Sequence, residues 1–290
     1  MKTIRPGIAG FLRTGAAFGK WALYAIGVGI LVGAVGAAFH IGIDWAAGLR
    51  AQCPRIVWLL PVGGVAIVLL YRACGMEKDR GTNLVLAAVR EAEPIRLRTA
   101  PLIFLSTIIT HLVGGSAGRE GAALQLGGSL AACIGRKIRL DAKDGRVMVM
   151  CGMSAAFSAL FGTPITAAVF SMEVVSVGVM YYAAIVPCLI SAQVGLLIAR
   201  CFGLHLEGGY LVPQAAVLSP WSMLQAAALG ALCALVSIVF CVVMHRAPKL
   251  YERCPPSTLL RAAVGGGLVL LLTLLVGNQD FNGAGDAVIR

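Results

Sequence analysis

Residues 114–128 read GGSAGREGAALQLGG, and Arg119 and Glu120 interrupt an otherwise uncharged apolar stretch between Arg98 and Arg136. A charge held at bilayer depth costs on the order of 3 kcal/mol or more, so such residues face a cavity and serve a pathway. Gly118 and Gly121 flank the pair, a composition that permits a tight turn and close approach of a ligand to the backbone. The run that follows has helical character, which makes Glu120 and Gly121 the start of a helix. Free N–H groups and the positive dipole end make such a start an anion site. An acidic side chain there either occupies the anion's own position and leaves when protonated, or is a plain capping Glu paired with Arg119. Two further segments invite the same question. Gly81-Thr82-Asn83 opens a short apolar helix after Arg80, offering a hydroxyl and backbone N–H groups to an anion, or an ordinary helix cap. Residues 152–175, GMSAAFSALFGTPITAAVFSMEVV, are rich in small residues that allow close helix packing, and Pro164 breaks the run. Glu173 is the only charged residue between Arg146 and Arg200.

The elements that would position these residues are set by composition. The chain is 59% hydrophobic and 13% charged over 290 residues, and its mean hydropathy is +0.87, which excludes an ordinary soluble domain. Residues 21–43 carry no Asp, Glu, Lys or Arg, and as a helix they reach roughly 34 Å, enough to cross the hydrocarbon. Apolar runs follow at 56–71, 100–118, 147–172, 174–199, 218–244 and 262–276, with a shorter one at 121–135. The spacing predicts an all-α integral membrane fold of unequal helices, some of them partial, as is tolerated where helices line a cavity. The net charge of +11 marks orientation and not nucleic acid. Lys2, Arg5, Arg13 and Lys20 precede the first run without an acidic partner, placing the N-terminus in the cytoplasm. Arg72, Lys78, Arg80, Arg90, Arg96 and Arg98 return the chain to that side two crossings later. The nine cysteines form no C-x-x-C and never pair with His40, His111, His205 or His245 at ligand spacing, so no metal and no cofactor is expected.

Taken together, these segments resemble the CLC family of voltage-gated chloride channels and anion transporters. Gly118-Arg119-Glu120-Gly121 followed by AALQLGG looks like that family's GREGP-x-V-Q-I-G-G. Residues 155–174 look like its small-residue stretch, and Gly81-Thr82-Asn83-Leu84-Val85 falls where the family has G-S-G-I-P. The resemblance implies an inverted-repeat fold of tilted and partial helices. It divides the chain into a cytoplasmic segment 1–20, a first repeat 21–200 and an incomplete second repeat 201–290. The rest of the ion site is then expected beyond residue 290. It implies a multi-pass protein of the plasma membrane that acts as a homodimer in the lipid bilayer. Glu120 would be the gating residue, and the anion would be bound by Gly81, Thr82, Asn83, Arg119, Glu120, Gly121, Ala122 and Ala123. The cargo would be chloride, with a fluoride/proton antiporter as the alternative. Three departures bear on that choice. Ala122 and Val85 replace prolines, and Val174 stands where proton-coupled members carry an inner glutamate. The retained hydroxyl of Thr82 favours chloride, whereas the altered GREG motif with Ala122 and Val174 fit the fluoride branch. Asn282-Gly-Ala-Gly-Asp-Ala-Val-Ile-Arg290 echoes the segment 80–90, as a second half would.

A rival from another class rests on Gly114-Gly-Ser-Ala-Gly118, which fits the G-x-S-x-G nucleophile pattern, with His111 nearby. Such an elbow requires a strand–turn–helix context. An intramembrane serine protease using Ser116 would label with a fluorophosphonate; a transporter would not.

Overall fold

The structure is a computed structural model that describes residues 8–77, 81–91, 93–175, 180–204, 219–252 and 257–285. Lys2, Arg5, Lys78, Arg80, His205 and residues 286–290 of the echo segment lie outside the described residues. Every regular element among the described residues is helical. In chain order they are α1 (Ile8–Gln52), α2 (Leu60–Ala73), α3 (Thr82–Glu91), α4 (Thr99–Leu112), α5 (Glu120–Lys137), α6 (Ala142–Phe161), α7 (Pro164–Glu173), α8 (Ile185–Cys201), α9 (Pro220–Glu252) and α10 (Thr258–Val276). Short 3-10 turns at Pro54–Leu59 and Tyr182–Ala184 lead into α2 and α8.

Among the described residues, five stretches are long and apolar enough to cross a membrane: Gly15–Gln52, Pro54–Ala73, Tyr182–Cys201, Pro220–Lys249 and Thr258–Val276. The chain is a multi-pass membrane protein. Unequal helix length, expected from the runs, is marked. α1 has 45 residues, whereas α4 has 14 and reaches only about 21 Å, short of the roughly 30 Å hydrocarbon layer. The structure extends α1 well beyond the uncharged run 21–43. No proline interrupts it, and Lys20, Asp44 and Arg50 lie near its two ends. The single run 147–172 is divided as its Pro164 suggested. Gly162 closes α6 in the left-handed conformation with φ 71°, its N–H bonded to the Ser158 carbonyl, and Pro164 opens α7.

The core is built around α6, buried from Val147 to Ala156, which packs on α1, α3, α5, α7 and α8. Small residues permit this, since lipid offers no hydrophobic drive for helix association. A Cβ on Gly127 of α5 would collide with the Gly152 carbonyl of α6. A Cβ on Gly33 of α1 would lie 2.7 Å from the Gly195 Cα of α8. Two buried hydroxyls bond backbone carbonyls in this core: Ser191 donates to the Cys151 carbonyl at 2.8 Å and Ser171 to that of Ala167 at 2.7 Å. By contrast α9 is exposed along nearly its whole length, and α10 packs on α2.

Candidate functional site at the start of α5

α4 ends at Leu112, and residues 113–119 form an irregular loop that turns the chain into α5. Gly114 takes φ 85° there, a conformation costly for residues with a Cβ. The loop is held from two directions. Arg50, from the end of α1, donates to the His111 carbonyl at 2.5 Å, placing a cation at the carbonyl end of α4. Residues after α10 supply the rest: Gly283 donates to the Gly115 carbonyl at 3.2 Å, and Ala117 donates to that of Gly283 at 3.1 Å. The Asn282 amide, 5% exposed, donates to the Gly114 carbonyl at 2.6 Å.

The loop delivers Glu120 as the first residue of α5. Its carboxylate folds back over Gly118, where any Cβ would collide with Oε2. The start of α3 converges on the same place, because a Cβ on Gly121 would lie 2.8 Å from Thr82 Oγ1. One cavity of about 350 Å³ opens between them. It is lined by Thr82, Glu120, Gly121, Ala122 and Gln125, by Ala117 and Gly118 of the loop, and by Ile103, Thr107 and Thr110 of α4. A second cavity of about 470 Å³ lies on the Gly81 side, lined by Gly81, Gln125 and Ile103 with Tyr71, Arg72, Glu77 and Thr258 among others.

The residues singled out from sequence therefore separate into groups. Thr82, Glu120, Gly121 and Ala122 share the first cavity, and Gly81 lines the second. Ala123 departs from expectation: its N–H donates to the Arg119 carbonyl at 2.9 Å. It closes the first turn of α5, and the four amides from Arg119 to Ala122 are left without an intrahelical acceptor. Arg119 caps α5 by position, but its side chain runs to Asp44, 3.7 Å away, and Asp44 lies 3.1 Å from His40. Asn83 is exposed. Ser116 sits exposed in the loop, with no strand among the described residues to build a nucleophile elbow. The His111 ring is directed at the Thr107 carbonyl, 2.9 Å away.

Gln125, Thr107, Thr110, Arg50 and Asn282 were not read from sequence as site residues. Gln125 had a signal, being the one large polar side chain in the run AALQLGG. For the other four, nothing in the local pattern distinguishes them from packing residues.

Broken helices whose N-termini meet at a polar cavity within a multi-pass bundle are an arrangement that many membrane transporters use. The family profile described as "Voltage gated chloride channel" matches residues 63–290, and the chain belongs to that family, the CLC anion transporters and channels. A chloride/fluoride channel protein of Pseudomonas syringae pv. tomato is 33% identical over 263 residues, covering 90% of this chain and 58% of the relative. A ClcB-like putative chloride channel protein of Ralstonia nicotianae is 26% identical, covering 81% of this chain and 57% of that one. Among solved structures, a CLC-type fluoride/proton antiporter superposes with a TM-score of 0.88 at 30% identity, covering 94% of this chain and 69% of that chain. A slow cyanobacterial Cl⁻/H⁺ antiporter shares the fold with a TM-score of 0.73 at 18% identity. The chain thus spans 58% of the length of the curated Pseudomonas relative.

Proposed function

We propose that this chain forms the gated portion of a halide path, with fluoride as the preferred cargo, and that Glu120 is the gate. One observation carries the reading: the α3 and α5 N-termini, a hydroxyl and a carboxylate face one cavity. The Glu120, Gly121 and Ala122 amides and the Thr82 hydroxyl are donors suited to an anion, and the dipole of α5 adds to them. The Glu120 carboxylate competes for those donors when ionised and releases them when protonated. Fluoride is the smallest halide, the strongest hydrogen-bond acceptor and the most costly to dehydrate, so it depends most on donors already fixed in place. The description of the fluoride/proton antiporter structure supports that cargo, while the name of the Pseudomonas relative covers both halides. The family description supports chloride as the second reading.

The same reading places the protein in the plasma membrane as a homodimer with a cytoplasmic N-terminus. It divides the chain into a segment 1–20, a first repeat 21–200 and part of a second repeat 201–290. The basic residues Lys20, Arg72, Arg90, Arg96 and Arg98 support the orientation. Gly81, on the second cavity, serves the cytoplasmic approach. Arg119 orients the loop through Asp44, and Asn83 is not assigned to the anion.

The test is halide efflux from liposomes holding the full-length protein, followed with fluoride- and chloride-selective electrodes at two pH values. The wild type is expected to move fluoride faster than chloride, and faster at the lower external pH. Glu120→Gln removes the charge at nearly constant size, and should leave a flux that no longer responds to pH. A Glu120→Gln variant that keeps the wild-type pH response for both ions would make Glu120 a simple cap. Faster chloride than fluoride efflux would select the second reading.

A further inference from the structure

The two cavities flanking the starts of α3 and α5 share two lining residues, Ile103 and Gln125. Both side chains therefore face both cavities, and an ion crossing directly from one to the other would meet them. Gln125 is 5% exposed. Its Nε2 donates to Thr82 Oγ1 at 3.1 Å, whereas its Oε1 has no hydrogen-bond partner among the described residues. A buried amide oxygen without a donor is destabilising, and an apolar residue of the same shape would avoid that cost. The neighbouring positions of α5, Leu124 and Leu126, are buried and apolar, so helix packing alone does not call for an amide here.

The hydrogen bond to Thr82 has a chemical consequence. A hydroxyl carries one proton and two lone pairs. With an amide N–H donating to Thr82 Oγ1, one lone pair is occupied and the hydroxyl proton is free to point elsewhere. The remaining open direction is the cavity that also holds the Glu120 carboxylate. We propose that Gln125 is a specificity-determining positioning residue, which fixes the Thr82 hydroxyl as a donor to the anion passing between the two cavities. The inference rests on the halide-path reading above and assigns its selectivity to an amide that does not itself need to touch the ion. The resemblance links a hydroxyl at position 82 with chloride; held as a fixed donor by Gln125 it instead favours fluoride, because the better acceptor loses more when the donor is freed to turn away.

The experiment uses the same liposomes and electrodes, and scores the ratio of fluoride to chloride efflux. Gln125→Met keeps size and removes the amide, and should slow fluoride about tenfold, the factor carried by one hydrogen bond to a charged group, and chloride by less, so that the ratio falls. Gln125→Glu keeps the shape but offers only acceptors when ionised, so Thr82 donates to it and the ratio should fall as well. In a Thr82→Val background, Gln125→Met should change the ratio little, because the hydroxyl it positions is gone. A monodisperse gel-filtration profile for each variant separates these effects from misfolding. If Gln125→Met and Gln125→Glu slow both ions in equal proportion, or if Gln125→Met and Thr82→Val act independently, Gln125 is a packing residue and the proposal fails. That failure is distinct from failure of the halide path, which would appear as wild-type protein moving neither ion or as Glu120→Gln keeping its pH response.

Discussion

Glu120 is held by what its neighbours lack. Gly118 has no side chain, and its space is taken by the Glu120 carboxylate, while Gly121 leaves room for the Thr82 hydroxyl. Gly118 has an ordinary backbone conformation, since its φ is not among the positive values. An alanine there is therefore tolerated by the main chain and acts on the carboxylate alone. The expected outcome for Gly118→Ala is a well-folded protein whose Glu120 side chain is displaced from its place over residue 118. Halide flux at neutral pH should rise and its gain on acidification should shrink, as liposome efflux at two pH values would reveal. An unchanged pH response would mean that the position of the carboxylate over Gly118 has no part in gating.

At the scale of elements, the site depends on two helices approaching more closely than side chains allow. α5 carries the candidate gate at its first residue, and its middle lies against α6 through Gly127 and Gly152. A methyl group at Gly127 would meet the α6 backbone, which cannot move without disturbing a core fully buried from Val147 to Ala156. Overpacking of this kind costs about 1–3 kcal/mol, and more where backbone must shift. Gly127→Ala is expected to lower the yield of monodisperse protein and the temperature at which it aggregates in detergent. Gly267→Ala on α10, where an added Cβ meets nothing within 4 Å, should leave both unchanged. Equal behaviour of the two variants would show that the α5–α6 approach is not limiting.

At the scale of the molecule, the loop before Glu120 is joined to residues far away in the chain. Asn282 follows α10, yet it bonds the Gly114 carbonyl, while Arg50 of α1 reaches the end of α4. The two contacts join residues 168 and 61 positions apart, so the geometry of the candidate gate depends on the last described segment being in place. Asn282→Ala leaves a buried carbonyl without its donor, which costs about 1–3 kcal/mol. Amide hydrogen exchange is the appropriate measure, with faster exchange expected in residues 113–119 and little change in the centre of α6. Exchange unchanged in that loop would show that Arg50 and the backbone bonds of Gly283 suffice.

Much of this protein follows from the order of its residues. Uncharged runs of spanning length, with basic residues confined to the gaps, leave a helical membrane fold as the stable outcome, because backbone polar groups in lipid must be paired within the segment. Pro164 after Gly162 marks a helix break for local reasons, and Gly118-Arg119-Glu120-Gly121 marks a helix start that can receive an anion. Those features act over a few residues and are therefore visible in the chain itself. The rest was decided by packing. Whether Arg119 meets Glu120 or Asp44, whether Gln125 faces lipid or Thr82, and whether Asn282 begins a second site or holds the first loop depend on which helices lie side by side. Contacts between residues tens to more than a hundred positions apart leave no periodic trace in sequence. Ala123 shows the same limit over a shorter distance: counted from the motif its amide belongs to the site, but the first turn of α5 takes its N–H for the Arg119 carbonyl.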